Sequence, residues 1–408
     1  MVKRTSSALG KISFSRTMRS SQLLRHKLIR LLPYHGTTSP PHRARKEQTM
    51  HDARSSSPIW QVHGTDAHTM TLQLLDACQA YKLVPAGGSV ALKPNLILAS
   101  VPEDGAVTHP GVVSGCIEHF RSQGIRDISV IESSWIGDKT LRALQASGIG
   151  QVCRDYDVPF YDLKRDKTVT VTTAIGSMEI CQRALEADLL VDLPVLKGHC
   201  QTHMTCALKN LKGCIPDREK RRFHALGLTK PIAALGAALR PGLVVVDSIC
   251  GDLCFEEGGT PVQTNTMFAG TDAVQVDAYA RSLMGLAPEE VPYIELAERY
   301  GGGRAHWDES DLVLLNEPSE AKGYGTPAGT VARLTRRVHE REACSACFAA
   351  LVRALYVTGR DPGQEIYIGQ SWRGETPCGL GIGSCCRGAT SNVPGCPPTA
   401  EAITRALR

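Results

Sequence analysis

Six of the chain's 15 cysteines crowd into the stretch from Cys344 to Pro398. It reads Cys344-Ser345-Ala346-Cys347, then Cys378, then Gly383-Ser384-Cys385-Cys386, then Pro394-Gly395-Cys396-Pro397-Pro398. Four thiolates can hold one tetrahedral zinc ion or one [4Fe-4S] cluster. A C-x-x-C pair brings two sulfurs together by local turn geometry, and the other two must come from loops that fold back. Gly381, Gly383, Gly388 and Gly395 let the backbone approach a bulky inorganic core, where its N–H groups can donate to sulfur. A Cys-Pro step also ends the ligand run of bacterial ferredoxins. The expected ligands are Cys344, Cys347, Cys385 and Cys396, with Cys386 and Cys378 as rivals for the third place. The expected cofactor is a [4Fe-4S] cluster, with zinc as the alternative.

A second chemistry-bearing stretch runs from Lys197 to Gly213 and holds three lysines, two histidines, two threonines and an asparagine. Lysine supplies charge and Thr and Asn supply directional donors, which suits a carboxylate or phosphate. His199 and His203 would share a face if the stretch were helical, as a metal pair does, but no carboxylate follows at ligand spacing. Either histidine could move a proton near neutral pH. The charge run Arg218-Glu219-Lys220-Arg221-Arg222-Phe223-His224 reads as a solvated loop placed to cover a bound anion. Glu256-Glu257 before Gly258-Gly259-Thr260-Pro261 could face the pocket or water.

The elements that must position these residues follow an α/β pattern, in which short apolar runs alternate with amphipathic segments. Strands are expected at Val90–Leu92, 128–131, 189–195, 243–246 and 267–269, and helices over 110–122, around Asp277 and after Cys347. Each apolar strand ends in a polar residue. Ligands of parallel α/β sheets bind outside the carboxyl ends of strands, so Lys93, Asn95, Glu132, Lys197, His199 and Asp247 are expected along one rim. The fold class is α/β, a mostly parallel sheet flanked by helices with a small Cys-rich C-terminal segment. The expected parts are a basic leader over 1–55, a core over 56–325 and a Cys-rich segment over 326–408, with Gly323, Gly325, Pro327 and Gly329 marking the linker.

Composition excludes several classes. The formal charge of +5 misleads. Eleven of 46 basic and one of 41 acidic residues precede position 51, which leaves 35 basic against 40 acidic residues in the remainder. That remainder is mildly acidic, which argues against nucleic-acid binding. The basic leader resembles a transit peptide, or an over-long start with Met50 as the first residue. No apolar run approaches the roughly 20 residues of a spanning helix. With no secretory signal, the nine scattered cysteines read as reduced thiols in a cytoplasmic protein. No Walker A loop or complete G-x-G-x-x-G supports a nucleotide.

Taken together, Lys93-Pro94-Asn95, His109-Pro110, Glu132, Leu193-Pro194-Val195-Leu196-Lys197-Gly198-His199, Thr205, Leu208-Lys209-Asn210-Leu211-Lys212-Gly213, Phe223-His224, Val246-Asp247 and Asp272…Asp277-Ala278 resemble the domain of unknown function 362 family. The ending Gly381-Ile382-Gly383-Ser384-Cys385…Val393-Pro394-Gly395-Cys396-Pro397-Pro398 does so too. The resemblance implies iron–sulfur binding and no settled reaction. Many relatives carry a two-cluster ferredoxin module with repeated C-x-x-C-x-x-C runs. This chain has the four-Cys ending instead, which argues against a two-cluster wire.

The expected function is a redox or Lewis-acid iron–sulfur enzyme acting on a small anion. Lys93, Asn95, His109, Lys197, Thr205, Lys209, Asn210 and His224 would bind the anion. His199 or His203 would move a proton, oriented by Glu132 or Asp247. The alternatives are a non-enzymatic electron carrier and a zinc-stabilised binding protein. The expected partners are the small anion and an electron-transfer protein, with neither nucleic acid nor membrane.

Overall fold

Successive residues of the central strands face two different apolar layers. Val244 and Val246 point into one, and Leu243 and Val245 into the other. Such a sheet is covered on both sides, which explains why its strands are nearly continuous apolar runs. The computed structural model describes residues 57–252, 261–318, 330–359 and 361–408. The leader, the Glu256-Glu257 turn and most of the Gly-rich linker therefore lie outside the described residues.

In chain order the strands are β1 (Ile59–His63), β2 (Val90–Pro94), β3 (Ile128–Glu132), β4 (Phe160–Asp162), β5 (Thr168–Thr173), β6 (Gly176–Cys181), β7 (Leu189–Leu193), β8 (Lys197–His199), β9 (His203–Thr205), β10 (Leu243–Asp252), β11 (Pro261–Gly270) and β12 (Leu312–Leu314). The main sheet has the order β12-β1-β11-β10-β7-β2-β3-β4. Pairing is parallel except where β11 meets β1 and β10. The expected α/β class and mostly parallel sheet are borne out.

From β2 the chain winds outward through β3 to β4, then returns to the opposite side of β2 with β7. Strand order therefore reverses between β2 and β7, and such reversals open a crevice at the carboxyl ends of the strands. The helix Pro110–Ser122 forms where expected, with proline at its first turn and Val112, Val113, Cys116, Ile117 and Phe120 buried. Asp272 caps the helix Ala273–Leu283 by accepting from the N–H groups of Val274 and Gln275.

The stretch from 197 to 205 forms a hairpin of β8 and β9 with His199 opposite His203, so the shared helical face weighed for the two histidines does not arise. One local expectation is corrected. The charge run at 218–224 is no solvated loop but part of the helix Asp217–Ala225, in which Glu219, Lys220, Phe223 and His224 are buried. Their spacing sets one face against the core and leaves the arginines outside.

The C-terminal part builds a second, all-parallel sheet from β13 (Val338–Glu340), β14 (Ile366–Ile368), β15 (Leu380–Ile382) and β16 (Ser391–Val393). The helix Ser345–Thr358 follows β13, and with the sheet and the closing helix Ala400–Ala406 it encloses its own core of Leu351, Leu355, Ile366, Ile368, Ile382 and Ile403.

Candidate functional site

The crevice at β2 and β3 is a cavity of about 600 Å³, counted to its open mouth. Asn95 and Ile97 follow β2, while Glu132, Ser133, Trp135 and Ile136 come from the end of β3 and the loop beyond. Thr205 ends β9, Lys209, Asn210, Lys212 and Gly213 come from the stretch after it, and Lys220 and His224 from the helix Asp217–Ala225. Cys344, Ser345 and Ala346 close the remaining wall.

Each polar group of the floor is held by a buried partner. Lys93 Nζ donates to Glu132 Oε2 at 2.6 Å with both side chains almost fully buried. Burial works against the Lys93 charge, but Glu132 and Asp192 more than offset it, and its pKa is raised. Gly213 is required here, because a Cβ would overlap the Glu132 carboxylate and lie 2.9 Å from Lys93 Cε. Lys197 Nζ donates to Asn95 Oδ1 at 3.0 Å and to the Ala106 carbonyl at 2.5 Å. Asn95 Nδ2 donates to Asn210 Oδ1 at 2.6 Å, and Asn210 Nδ2 donates to Asp192 Oδ1 at 2.9 Å. Burial pushes the Asp192 carboxyl up to about 8.

The turn that carries Lys209 and Asn210 is pinned from below. Asp277 accepts from the N–H groups of Ala207 and Leu208 at 2.7 and 3.2 Å, and burial raises its pKa to about 7. Lys209 Nζ donates to Thr205 Oγ1 at 3.2 Å. Lys220 Nζ donates to Ser133 Oγ at 2.7 Å and to the Ser134 carbonyl at 2.8 Å, and burial pulls its pKa down to about 8.

The expected site residues thus separate into three groups. Asn95, Glu132, Thr205, Lys209, Asn210 and His224 line the cavity together with Cys344. Lys93 and Lys197 lie buried behind Glu132 and Asn95. His109, His199, His203 and Asp247 do not line it. His109 caps the helix Pro110–Ser122, its Nδ1 accepting from Gly111 N. Asp247 accepts from the N–H groups of His109 and Ile249 at 2.8 and 3.2 Å. His199 is buried in the hairpin, where its Nδ1 accepts from the N–H groups of Gln201 and Thr202. His203 is exposed and 3.8 Å from Glu290.

Lys212, Lys220, Ser133 and Trp135 are cavity residues that were not singled out. Lys220 had a legible signal, since Lys220, Phe223 and His224 stand at i, i+3 and i+4 inside the charge run. Trp135 and Ser133 lie in a loop with no periodicity to read.

The cysteine stretch meets the cavity at the start of the helix Ser345–Thr358, whose N-cap is Cys344. Ser345 N and Oγ lie 3.4 Å from His224 Nε2, and Ser345 Oγ donates to Gln201 Oε1 at 3.0 Å. Burial raises the Cys344 thiol pKa, and Cys385 and Cys396 raise it further. Cys347 is driven up by burial and then by Cys344, Cys396 and Cys385. These four are the expected ligands, and the shifts at Cys344 and Cys347 place their thiols near those of Cys385 and Cys396. Gly383 and Gly395 take φ of +85° and +141°, and a Cβ on Gly383 would lie 3.8 Å from Cys347 Sγ. Arg373 Nε donates to Cys385 Sγ at 3.4 Å. Among the described residues, no group of three or more His, Cys, Asp or Glu is disposed to hold a single metal ion. The rival Cys386 is buried, with its Sγ toward the Gly369 carbonyl at 3.8 Å, and Cys378 is exposed.

Fold and cavity define an open-sheet α/β protein with a crevice at its switch point. Residues 90–282 match the sequence profile of the family described as Domain of unknown function (DUF362). The resemblance read from the Lys-Pro-Asn and Lys-Asn-Leu-Lys-Gly motifs is thereby borne out across the α/β region, and the match ends before the cysteine stretch. The thylakoid-associated protein sll1697 of Synechocystis sp. is 26% identical over 229 residues, which are 53% of this chain and 70% of that protein. Among solved structures, the lactate racemase apoprotein from Thermoanaerobacterium thermosaccharolyticum superposes with a TM-score of 0.39 and 14% identity. That superposition covers 55% of this chain and 56% of the other, so the chain spans little more than half of that protein. A likeness this loose carries no argument about activity. Among the described residues, no helix is long and apolar enough to cross a membrane.

Proposed function

We propose that this chain is an iron–sulfur enzyme acting on a small oxyanion bound in the lysine-lined cavity. One observation carries the reading. Cys344, the first residue of the C-x-x-C pair, lies in the wall of the same cavity as Lys209 and Asn210. A thiol segment used only to fasten the C-terminus has no reason to meet the polar crevice of the sheet.

Cys344, Cys347, Cys385 and Cys396 would hold a [4Fe-4S] cluster. Four cysteine thiolates are the ligand set such a cluster takes, and the Cys-Pro step and glycine loops around Cys385 and Cys396 suit its bulk. When bound, the cluster supplies single electrons, or a Lewis-acidic iron if one iron is open. The chain's own residues bind and orient the substrate. Lys209 and Lys212 attract the oxyanion, and the start of the helix Ser345–Thr358 adds partial positive charge opposite them. Asn95 and Asn210 fix its direction, while Trp135, Ile97 and Ile136 cover its apolar side. Glu132 and His224 are the proton-handling groups of the wall, and Ser345 N–H donates to His224 Nε2, which leaves the ring proton on Nδ1.

Anaerobic purification with iron, sulfide and zinc analysis tests the cofactor. About four irons and four sulfides per chain are expected, and one zinc without iron would contradict the reading. Changing Lys209 and Asn210 to Ala together tests the cavity. The variant should keep its iron and lose oxyanion binding, and unchanged binding would remove the cavity from the proposal.

A further inference from the structure

The cavity floor contains a one-directional hydrogen-bond chain, and its direction sets what a ligand must offer. The chain runs from Lys197 Nζ to Asn95 Oδ1, from Asn95 Nδ2 to Asn210 Oδ1, and from Asn210 Nδ2 to Asp192 Oδ1. A carboxamide can turn over, exchanging donor for acceptor at little intrinsic cost, so an isolated asparagine does not specify polarity. These two cannot turn over independently. An ammonium group has three donors and no acceptor, so Asn95 must aim its oxygen at Lys197 and its nitrogen at Asn210. Asn210 must then aim its oxygen at Asn95 and its nitrogen at Asp192, whose carboxyl accepts. Lys93 C=O, 3.5 Å from Asn210 Nδ2, reinforces the same orientation. The fully buried Lys197 and Asp192, which do not line the cavity, therefore fix the polarity of two amides that do.

Counting hydrogen-bond capacity gives the consequence. Both Asn210 Nδ2 hydrogens point into protein, and Asn95 Oδ1 is engaged by Lys197. Among the described residues, the amide groups left over are the second N–H of Asn95 and one lone pair each of Asn210 Oδ1 and of Asn95 Oδ1, the latter on the side held by Lys197. These two amides are directly bonded to each other, so at their junction the cavity lining sets the Asn95 donor beside the Asn210 acceptor. The acceptor cannot become a donor while Lys197 holds the other end.

We infer that the ligand is an oxyanion carrying a hydroxyl donor next to its acid group, and that Lys197 and Asp192 are positioning residues that impose this requirement through Asn95 and Asn210. The acid group faces the lysines and Asn95 N–H, and the hydroxyl donates to Asn210 Oδ1. An acid lacking the hydroxyl leaves that buried carbonyl without a partner, and an ether in its place sets two acceptors against each other. This inference rests on the proposed oxyanion cavity, but it does not depend on which cofactor the cysteines hold.

The test uses three probes that differ at one position: acetate, glycolate and methoxyacetate. Binding to the anaerobically purified full chain is followed by tryptophan emission, with Trp135→Phe identifying the signal from the cavity. Glycolate should bind about tenfold more tightly than either of the others, the worth of one buried hydrogen bond. In Lys197→Met/Asp192→Leu both buried anchors are gone and the amides can turn over, and the preference for glycolate over methoxyacetate should fall to about onefold. Asn210→Leu, which removes the acceptor and keeps the volume, should bring glycolate to the level of acetate, and it serves equally if the double variant does not fold. Equal binding of all three probes by the wild-type protein would overturn the donor requirement while leaving the oxyanion cavity standing. No binding of any probe would overturn the cavity reading and the inference with it. A glycolate preference that survives Lys197→Met/Asp192→Leu would overturn the positioning role.

Discussion

The floor of the cavity and its cysteine wall handle buried polar groups in opposite ways. Under the floor, polar groups are matched in advance: Lys93 pairs with Glu132, and Lys197 and the Asp192 carboxyl are joined through two asparagines. At the wall, Cys344 and Cys347 are half-buried next to other thiols, and their ionisation is opposed by desolvation and by neighbouring thiols. The floor is preorganised and should be stable whatever is bound. The wall is costly to ionise until a cationic centre takes up the charge, so its stability should depend on what is bound. The difference separates residues that build the site from residues that complete it.

The largest expected effect comes from breaking the floor. Glu132→Gln leaves Lys93 buried opposite a neutral amide and should cost about 3–5 kcal/mol in urea unfolding. Gly213→Ala drives a methyl group into the same carboxylate and should cost about 1–3 kcal/mol from overpacking alone. Both losses should be the same with and without the cofactor. The mirror experiment is Cys347→Ser, which should lower the stability of the cofactor-loaded protein and leave that of the cofactor-free protein within about 0.5 kcal/mol. A Cys347→Ser cost that ignores the cofactor would erase the contrast.

A pH series sharpens the floor's side of the comparison. Burial holds the Asp192 pKa near 8, whereas an unfolded aspartate releases its proton near 4. The folded state therefore binds the extra proton between these limits, and stability falls as pH rises through that window. Asp192→Asn removes the titration while keeping an oxygen to accept from Asn210. The wild-type protein should lose stability relative to this variant by up to about 1.4 kcal/mol per pH unit between about pH 4 and 8. Parallel curves would show that Asp192 ionises normally.

The smallest effects belong to the edges. Arg373→Ala removes an N–H donor to Cys385 sulfur and should lower the reduction potential of a bound cluster without changing its iron content. His203→Ala, at an exposed position, should leave stability within about 0.5 kcal/mol and oxyanion binding unchanged.

The parts of this site that were legible in sequence are those with a local rule behind them. Asn95 and Glu132 stand at strand ends, and strand ends follow from short apolar runs. Lys209 and Asn210 stand out in a dense polar stretch. His109, His199 and Asp247 were equally polar and equally near strand ends, yet their side chains are consumed by capping and by loop N–H groups, which depend on backbone geometry. Lys220 was hidden because a charge run resembles a surface loop until its helical period is counted. The approach of Cys344 to Lys209 had no sequence signal, because it depends on how a C-terminal sheet docks onto strands more than 100 residues earlier.

The most direct test of a single shared site is the electron paramagnetic resonance spectrum of the reduced, cluster-loaded protein, recorded with and without glycolate at a concentration that saturates the Trp135 signal. One site predicts a shift in the cluster's g-values on adding glycolate, lost when Lys209 and Asn210 are both changed to Ala. A spectrum unchanged by saturating glycolate would place the cysteines and the cavity in separate roles and contradict the account.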